Sequence, residues 1–280
     1  MGYGSYCNIA DVKGVLGITS TSDDTMLRKI CESASRSIDA YCNRFFYTES
    51  ATKYFHGGAK IWLKPDLLSV TTLKTDEDGD ATFENTYDTT DYYLLPLNEF
   101  PKTEIIISDD SDYGTFAAGI KKGVEIDGLW GYGDGISATP YISDTTLSAA
   151  ISSTTATTYT VTSATNISAG QLHLIDDEQI YVYSVSSSTV TCEREVNGTT
   201  AATHDNGKTI YIYQYPSDIR QACIDLSVLK YQLRAKQGMQ SEKLGDYSYN
   251  LVSPTSEGGK LKGAPKLILD EISGYKKMRF

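Results

Sequence analysis

Between Thr21 and Tyr47 the apolar positions Leu27, Ile30, Cys31, Ala34, Ile38, Tyr41, Cys42 and Phe45 recur at three- and four-residue steps. That spacing aligns one stripe along a 3.6-residue turn and predicts a long amphipathic helix. Thr21 with Asp24 has the form of a capping box, and Asp23 and Asp24 stand where the helix dipole favours negative charge. The opposite face carries Arg28, Glu32, Ser35, Arg36 and Asp39, so the helix is expected to rest on a core and turn its other side to water or another subunit. A second stripe of Ile219, Ala222, Cys223, Leu226, Leu229 and Leu233 predicts a helix from Tyr215 to Gly238, with Pro216 suited to the first turn and Gly238 to the stop. Shorter helices are expected after Asn8, ending at Gly17, and from Pro265 through Ile272, with Ile268, Leu269 and Ile272 as the apolar side.

From Ala51 to about Tyr132 the texture changes to strands, at Lys60–Leu63, Ser69–Thr75, Tyr92–Leu95, Thr103–Ile107 and Gly123–Trp130, separated by Gly, Pro and Asp clusters. From about Ile136 to Tyr213 Ser and Thr become dense. Short strands are expected there at Thr158–Thr162, Gln171–Ile175, Gln179–Val185, Thr189–Glu193 and Lys208–Tyr213, turning at Asp176-Asp177 and Asn197-Gly198. The alternation of Val, Ile and Tyr favours a small barrel or sandwich over a disordered linker.

At 280 residues the chain can bury about three quarters of its unfolded surface, enough for one large domain or two smaller ones. A formal net charge of -11 argues against a tight non-specific grip on DNA or an anionic membrane. No charged-then-apolar leader and no run of about 18 apolar residues is present, so neither an export signal nor a membrane span is expected. Cys7, Cys31, Cys42, Cys192 and Cys223 form no C-x-x-C pair. On one helix Cys31 and Cys42 lie roughly 16 Å apart, too far for a disulfide, so the thiols read as reduced and partly buried.

Sharper chemistry is weighed against plainer readings. Asp76-Glu77-Asp78-Gly79-Asp80 has the alternate acids of a calcium loop, yet Ala81 stands where such a loop needs Gly and Tyr87 where it needs a bidentate Glu. A hairpin turn is the favoured reading. Asp109, Asp110 and Asp112 read as a solvated turn. His56, His173 and His204 are widely separated and beside no nucleophile setting, so no catalytic set is expected, nor any metal or cofactor. Gly131, Gly133 and Gly135 open no helix and complete no phosphate cradle. Trp62, Trp130 and the many tyrosines read as core or interface residues rather than stacking platforms for sugars or bases.

The segments SDDTMLRKICESASRSIDAYCNRFFY and YPSDIRQACIDLSVLKYQLRAKQG resemble two helices of the tailed-phage head-tail connector (adaptor) family. PDLLSVTTLKTDEDGD (Pro65–Asp80) and DYYLLPLNEFP (Asp91–Pro101) resemble that family's middle region. The similarity covers roughly Asn8–Tyr132 and Pro216–Gly238. LSAAISSTTATTYTVTSA, LHLIDDEQIYVYSV and REVNGTTAATHDNG look like a small β module inserted in various phage structural proteins. The implied class is α+β: a helical connector core with a β-rich body, residues 1–135 and 214–280, and an inserted all-β domain, residues 136–213, read as a surface decoration on an exposed loop.

The resemblance implies a non-enzymatic virion protein of the phage neck, present in the host cytoplasm during assembly. Its partners would be the portal, the next neck or tail-completion protein, and itself in a ring of about a dozen copies, a dodecamer, whose closure needs a heterologous interface. Double-stranded DNA would pass through without sequence-specific binding, and no membrane is involved. Arg28, Glu32, Arg36 and Asp39 are the candidate subunit interface, since mixed signs on one stripe fix register between copies; the plainer reading is solvated pairs within one helix. By the resemblance the C-terminal part engages the portal. Lys260, Lys262, Lys266, Lys276, Lys277 and Arg279, with Ile268, Leu269, Ile272 and Phe280, are the candidate docking residues; the plainer reading is a solvated basic tail. A different class of function, a carbohydrate-binding or adhesion module of a phage tail, is suggested by the Ser/Thr/Tyr-rich insert but leaves the two long helices without a purpose.

Overall fold

The computed structural model describes residues 4–234, 241–244, 247–250 and 265–277. Among them the fold is α+β, with four α-helices, two six-stranded sheets and a small ribbon of β13 (Ser241–Leu244) and β14 (Tyr247–Asn250). Contacts divide the chain into two compact units. One joins Met1–Arg44, Ile142–Val196 and Thr200–Phe280; the other joins Phe45–Tyr141 and Asn197–Thr199.

In the first unit α1 (Ile9–Leu16) is capped by the Asn8 side chain, which accepts from the Asp11 N–H at 3.0 Å, and ends at Gly17 in the left-handed conformation. The long helix α2 runs Asp24–Cys42 and stops at Asn43, also left-handed. The expected capping box does not form: Asp23 is the N-cap, without a side-chain cap, and the Asp24 N–H turns back to the Thr21 carbonyl. Helix α3 (Ser217–Leu233) follows Pro216, and Gly238, its expected stop, lies outside the described residues. Leu27, Cys31, Ala34, Ile38 and Cys42 of α2 are fully buried, as are Ile219, Ala222 and Cys223 of α3. Small side chains at the seam let the two helices approach: Cys223 Sγ lies 3.4 Å from Ser35 Oγ and 3.8 Å from the Cys31 carbonyl. Lys230 donates to Ser33 and Ser37, and the Tyr231 hydroxyl donates to Asp23. The two stripes legible in the sequence thus meet as one scaffold.

The same unit holds six strands: β7 (Tyr141–Thr146), β8 (Thr158–Thr160), β9 (Leu172–Ile175), β10 (Glu178–Ser186), β11 (Thr189–Glu193) and β12 (Thr209–Tyr213), in the order β7-β12-β9-β10-β11-β8. A bridge between Leu147 and Val161, with Thr162 N–H to Thr146 carbonyl at 2.9 Å and Ser148 N–H to Thr160 carbonyl at 3.0 Å, joins the first and last strands and closes the sheet into a small barrel. Ile175, Ile180, Val182, Val190 and Ile210 fill its interior. Residues 136–213 therefore do contain a sheet of their own. By contacts this sheet groups with the helices in one unit.

The β-rich body, the second unit, is a sheet of β1 (Glu49–Phe55), β2 (Lys60–Thr75), β3 (Asn85–Tyr87), β4 (Tyr92–Leu95), β5 (Lys102–Ile107) and β6 (Val124–Trp130), ordered β1-β6-β2-β5-β4 with β3 also on β2. Sequence reading breaks β2 in two at Pro65; the chain instead runs on through bulges between Trp62 and Leu67 and beyond. Gly128 sits beside one of them, where a Cβ would lie 2.3 Å from the Ser69 carbonyl oxygen. One face buries Ile61, Leu63, Leu73, Ile105, Val124, Ile126 and Trp130, whose indole N–H donates to the Ala51 carbonyl at 2.7 Å.

Candidate docking surfaces

The polar face of α2 is half-buried and engaged in part by the chain itself. Arg28 pairs with Glu32 and lies 4.7 Å from the centre of the Tyr183 ring, while the Tyr181 hydroxyl donates to Glu32 at 2.7 Å. Arg36 pairs with Asp39 at 3.0 Å and lies over the Tyr6 ring; the Tyr6 hydroxyl donates to Asp39. Burial pushes the Asp39 carboxyl up to about 6, against the pull of Arg36 and the Tyr6 hydroxyl. Barrel strand β10 and the N-terminal segment thus supply partners within the chain to Arg28, Glu32, Arg36 and Asp39, the candidate subunit-interface residues.

The C-terminal segment is placed in a similar way. In α4 (Lys266–Glu271) and the turn after it, Ile268, Leu269 and Ile272 are buried, and the Leu269 carbonyl accepts from the Tyr41 hydroxyl at 3.2 Å. The Lys277 N–H donates to the Cys42 carbonyl at 2.8 Å, Asn43 donates to the Lys277 carbonyl, and the Lys276 ammonium lies 3.9 Å from the centre of the Tyr41 ring. Helix α2 has no basic residue in its own last turn; Lys276 and Lys277 supply charge where the dipole favours it. The apolar side, Ile268, Leu269 and Ile272, is thus buried within the chain. Lys266 and Leu267 remain exposed, Leu267 by 71%. Lys260, Lys262, Arg279 and Phe280 lie outside the described residues.

Two histidines sit inside the barrel as structural groups. His173 accepts from the Tyr159 hydroxyl at 2.7 Å and faces Gln171; burial pushes it down to about 3, so it is neutral. His204 spans Asp176 and Glu178 at 2.8 and 2.9 Å. Glu178 also takes a two-pronged pair from Arg194 and the Ala202 N–H. Burial works to raise the Glu178 carboxyl, but those donors outweigh it and hold it below the usual range. His56, in the second unit, accepts from the Lys122 N–H at 3.2 Å.

Beside the barrel a cavity of about 360 Å³ is lined by Tyr6, Asn8, Asp11, Asn166, Gln171, Tyr213 and neighbouring residues. Its polar groups are engaged internally: Asp11 with Arg220, Asn8 with the α1 N-terminus, Gln171 with the Asn166 carbonyl and the Ser168 N–H. In the second unit Asp76, Asp78, Asp80 and Glu84 bring carboxylate oxygens within 4.8 Å of one another. The Asp76 carboxylate accepts from the Gly79, Ala81 and Asp78 N–H groups, which holds the hairpin turn. Ala81 takes a φ of 72° in the place of the expected glycine, and Tyr87 is buried with its hydroxyl on the Thr115 carbonyl. Glu84 joins the set across the hairpin, a closure that alternation alone did not signal.

The outer face of the same sheet is open. Its residues form two rows across three strands, Lys60–Ile106–Tyr93 and Trp62–Glu104–Leu95. Trp62 is 64% exposed and Tyr93 43%; Lys60 lies 4.0 Å from the centre of the Trp62 ring and pairs with Glu104 at 3.0 Å. Sequence reading placed Trp62 on a strand without telling which side it faced.

Among the described residues no helix is long and apolar enough to cross a membrane. No curated protein matches the chain. Residues 6–72 match the family model described as phage gp6-like head-tail connector protein, a stretch that takes in α1, α2, β1 and most of β2. Through that stretch, which includes α1 and α2 of the helical scaffold, the chain is similar to the phage gp6-like head-tail connector family.

Proposed function

We propose that the chain is a ring subunit of the neck: copies assemble head to tail beneath the portal, extend the DNA channel and present the surface that the next neck or tail protein recognises. The observation that carries this reading is the family match over residues 6–72 together with the packing of α3 on α2, two helices distant in sequence and joined through Cys31, Ser35 and Cys223. A net charge of -11 suits a wall along which DNA slides without being gripped. Ring closure as a dodecamer, and assembly in the host cytoplasm before incorporation into the virion, belong to the same proposal.

Portal docking is assigned to the exposed side of the C-terminal segment, Lys266 and Leu267, together with Lys260, Lys262, Arg279 and Phe280. A basic segment on an acidic chain suits an acidic partner. The test is negative-stain microscopy of the purified chain mixed with purified portal. Rings capping the portal support the connector; monomers or trimers that bind glycans instead support the adhesion module.

A further inference from the structure

Arg28, Glu32, Arg36 and Asp39 hold partners within the chain, and the second unit carries two exposed features of opposite character. One is the outer sheet face, where Trp62, Tyr93, Leu95 and Ile106 lie beside Lys60 and the exposed Lys64. A tryptophan left mostly in water on a sheet face is the residue type that anchors protein interfaces. The other is the hairpin after β2, where exposed Asp78, Asp80 and Glu84 crowd with Asp76. Carboxylates this close repel one another, and an ammonium group from outside relieves the repulsion.

The two features lie toward opposite ends of one strand. β2 runs Lys60–Thr75, with Lys60, Trp62 and Lys64 at its start and the acidic hairpin just past its end. At about 3.3 Å per residue these ends are separated by tens of ångströms, so the basic aromatic face and the acidic hairpin of one copy do not reach each other. Between copies arranged head to tail they do. A closed ring needs one patch on each subunit to meet a different patch on the next, and opposite charge at the two patches fixes which meets which.

We propose that the Lys60–Trp62–Lys64 face of one copy receives the 76–84 hairpin of the next copy in the ring. The inference rests on the ring reading of the preceding section and names the surface that reading leaves open. Trp62 supplies the apolar anchor, and Lys64 supplies the ammonium that meets Asp78 and Asp80.

The test is a charge exchange, read by sedimentation velocity and by microscopy of the chain with portal. Trp62→Ser, Lys64→Glu and Asp78→Lys are made singly, and Lys64→Glu with Asp78→Lys is made in one chain. All these side chains are exposed, and unchanged melting curves check that each variant folds. The expected result is about a tenfold or greater loss of rings for each single variant and recovery in the double variant, where the signs are exchanged on both patches. Rings that persist in all single variants overturn the interface and leave the Trp62 face to the portal or the next neck protein. Loss without recovery in the double variant overturns the pairing of the two patches. Absence of rings in the unaltered chain, with and without portal, overturns the ring reading itself and this interface with it.

Discussion

The hydroxyl of Tyr181, on barrel strand β10, donates to the carboxylate of Glu32, on the long helix, at 2.7 Å. This one bond joins parts of the chain that the sequence presents as scaffold and insert. Tyr181 is fully buried and Glu32 already pairs with Arg28, so the barrel supplies the third member of a polar cluster on α2. Replacing Tyr181 by Phe removes a hydrogen bond to a charged group and is expected to cost about 1.5–3 kcal/mol, measured by urea unfolding with circular dichroism. An unchanged midpoint would separate barrel and helix energetically.

The Glu178–Arg194 pair is the tightest test of barrel integrity. Both side chains are almost wholly buried, and Arg194 also donates to the Ala202 carbonyl at 2.6 Å, which pins the loop after β11. Arg194→Ala leaves a buried carboxylate short of its main partner and is expected to destabilise by about 3–5 kcal/mol. Urea unfolding measures the loss.

Acid acts on two groups with opposite sign. His173 falls from 6.5 to about 3 on folding, so between those values the unfolded chain binds the extra proton; its contribution to stability is full above pH 6.5 and is lost as pH falls. Asp39 rises from 3.8 to about 6, so the folded chain binds the extra proton in that window; its contribution is full below pH 3.8 and is lost as pH rises to 6. Each contributes a slope of about 1.4 kcal/mol per pH unit within its window. His173→Asn should therefore make stability fall less steeply on acidification, and Asp39→Asn should make it fall more steeply. Unfolding free energies measured between pH 3.8 and 6 check both signs.

The C-terminal segment stabilises the subunit, so deleting it confounds attachment with folding. Burial of Ile268, Leu269 and Ile272 contributes about 1.5–3 kcal/mol for each side chain, and removal also frees the Cys42 carbonyl at the end of α2. Truncation before Pro265 is expected to lower the melting temperature. Lys266→Glu with Leu267→Ser alters only exposed positions; it is expected to leave the melting temperature unchanged and to weaken portal binding in a pull-down, the result that bears on docking.

The helices were legible because their apolar residues repeat at helical spacing over several turns, and Asn8 and Gly17 mark α1 by cap chemistry that needs no tertiary partner. Strands β4 and β11 were legible residue for residue, and β5 and β6 within one residue at one end. β1, β3 and β7 were not, because ESATKYF, NTY and YISDTT are polar or short segments whose pairing is set by neighbouring strands. The placement of the barrel was hidden for a related reason. Glu32 reads as a position on the polar face of its helix, and only the fold brings Tyr181 and Tyr183 to that face. Glu84 is the same lesson in the second unit, since the hairpin and not the spacing carries it to Asp76. The C-terminal lysines read as a free basic tail because sequence gives no sign that α2 ends without a basic residue of its own.

Electron microscopy of the intact phage neck tests the central claim most directly. The account predicts a closed ring directly beneath the portal, each subunit holding α2 packed on α3 with the barrel against α2. Density in which this chain occupies a distal tail fibre or tip, or sits beneath the portal without forming a closed ring, would contradict it.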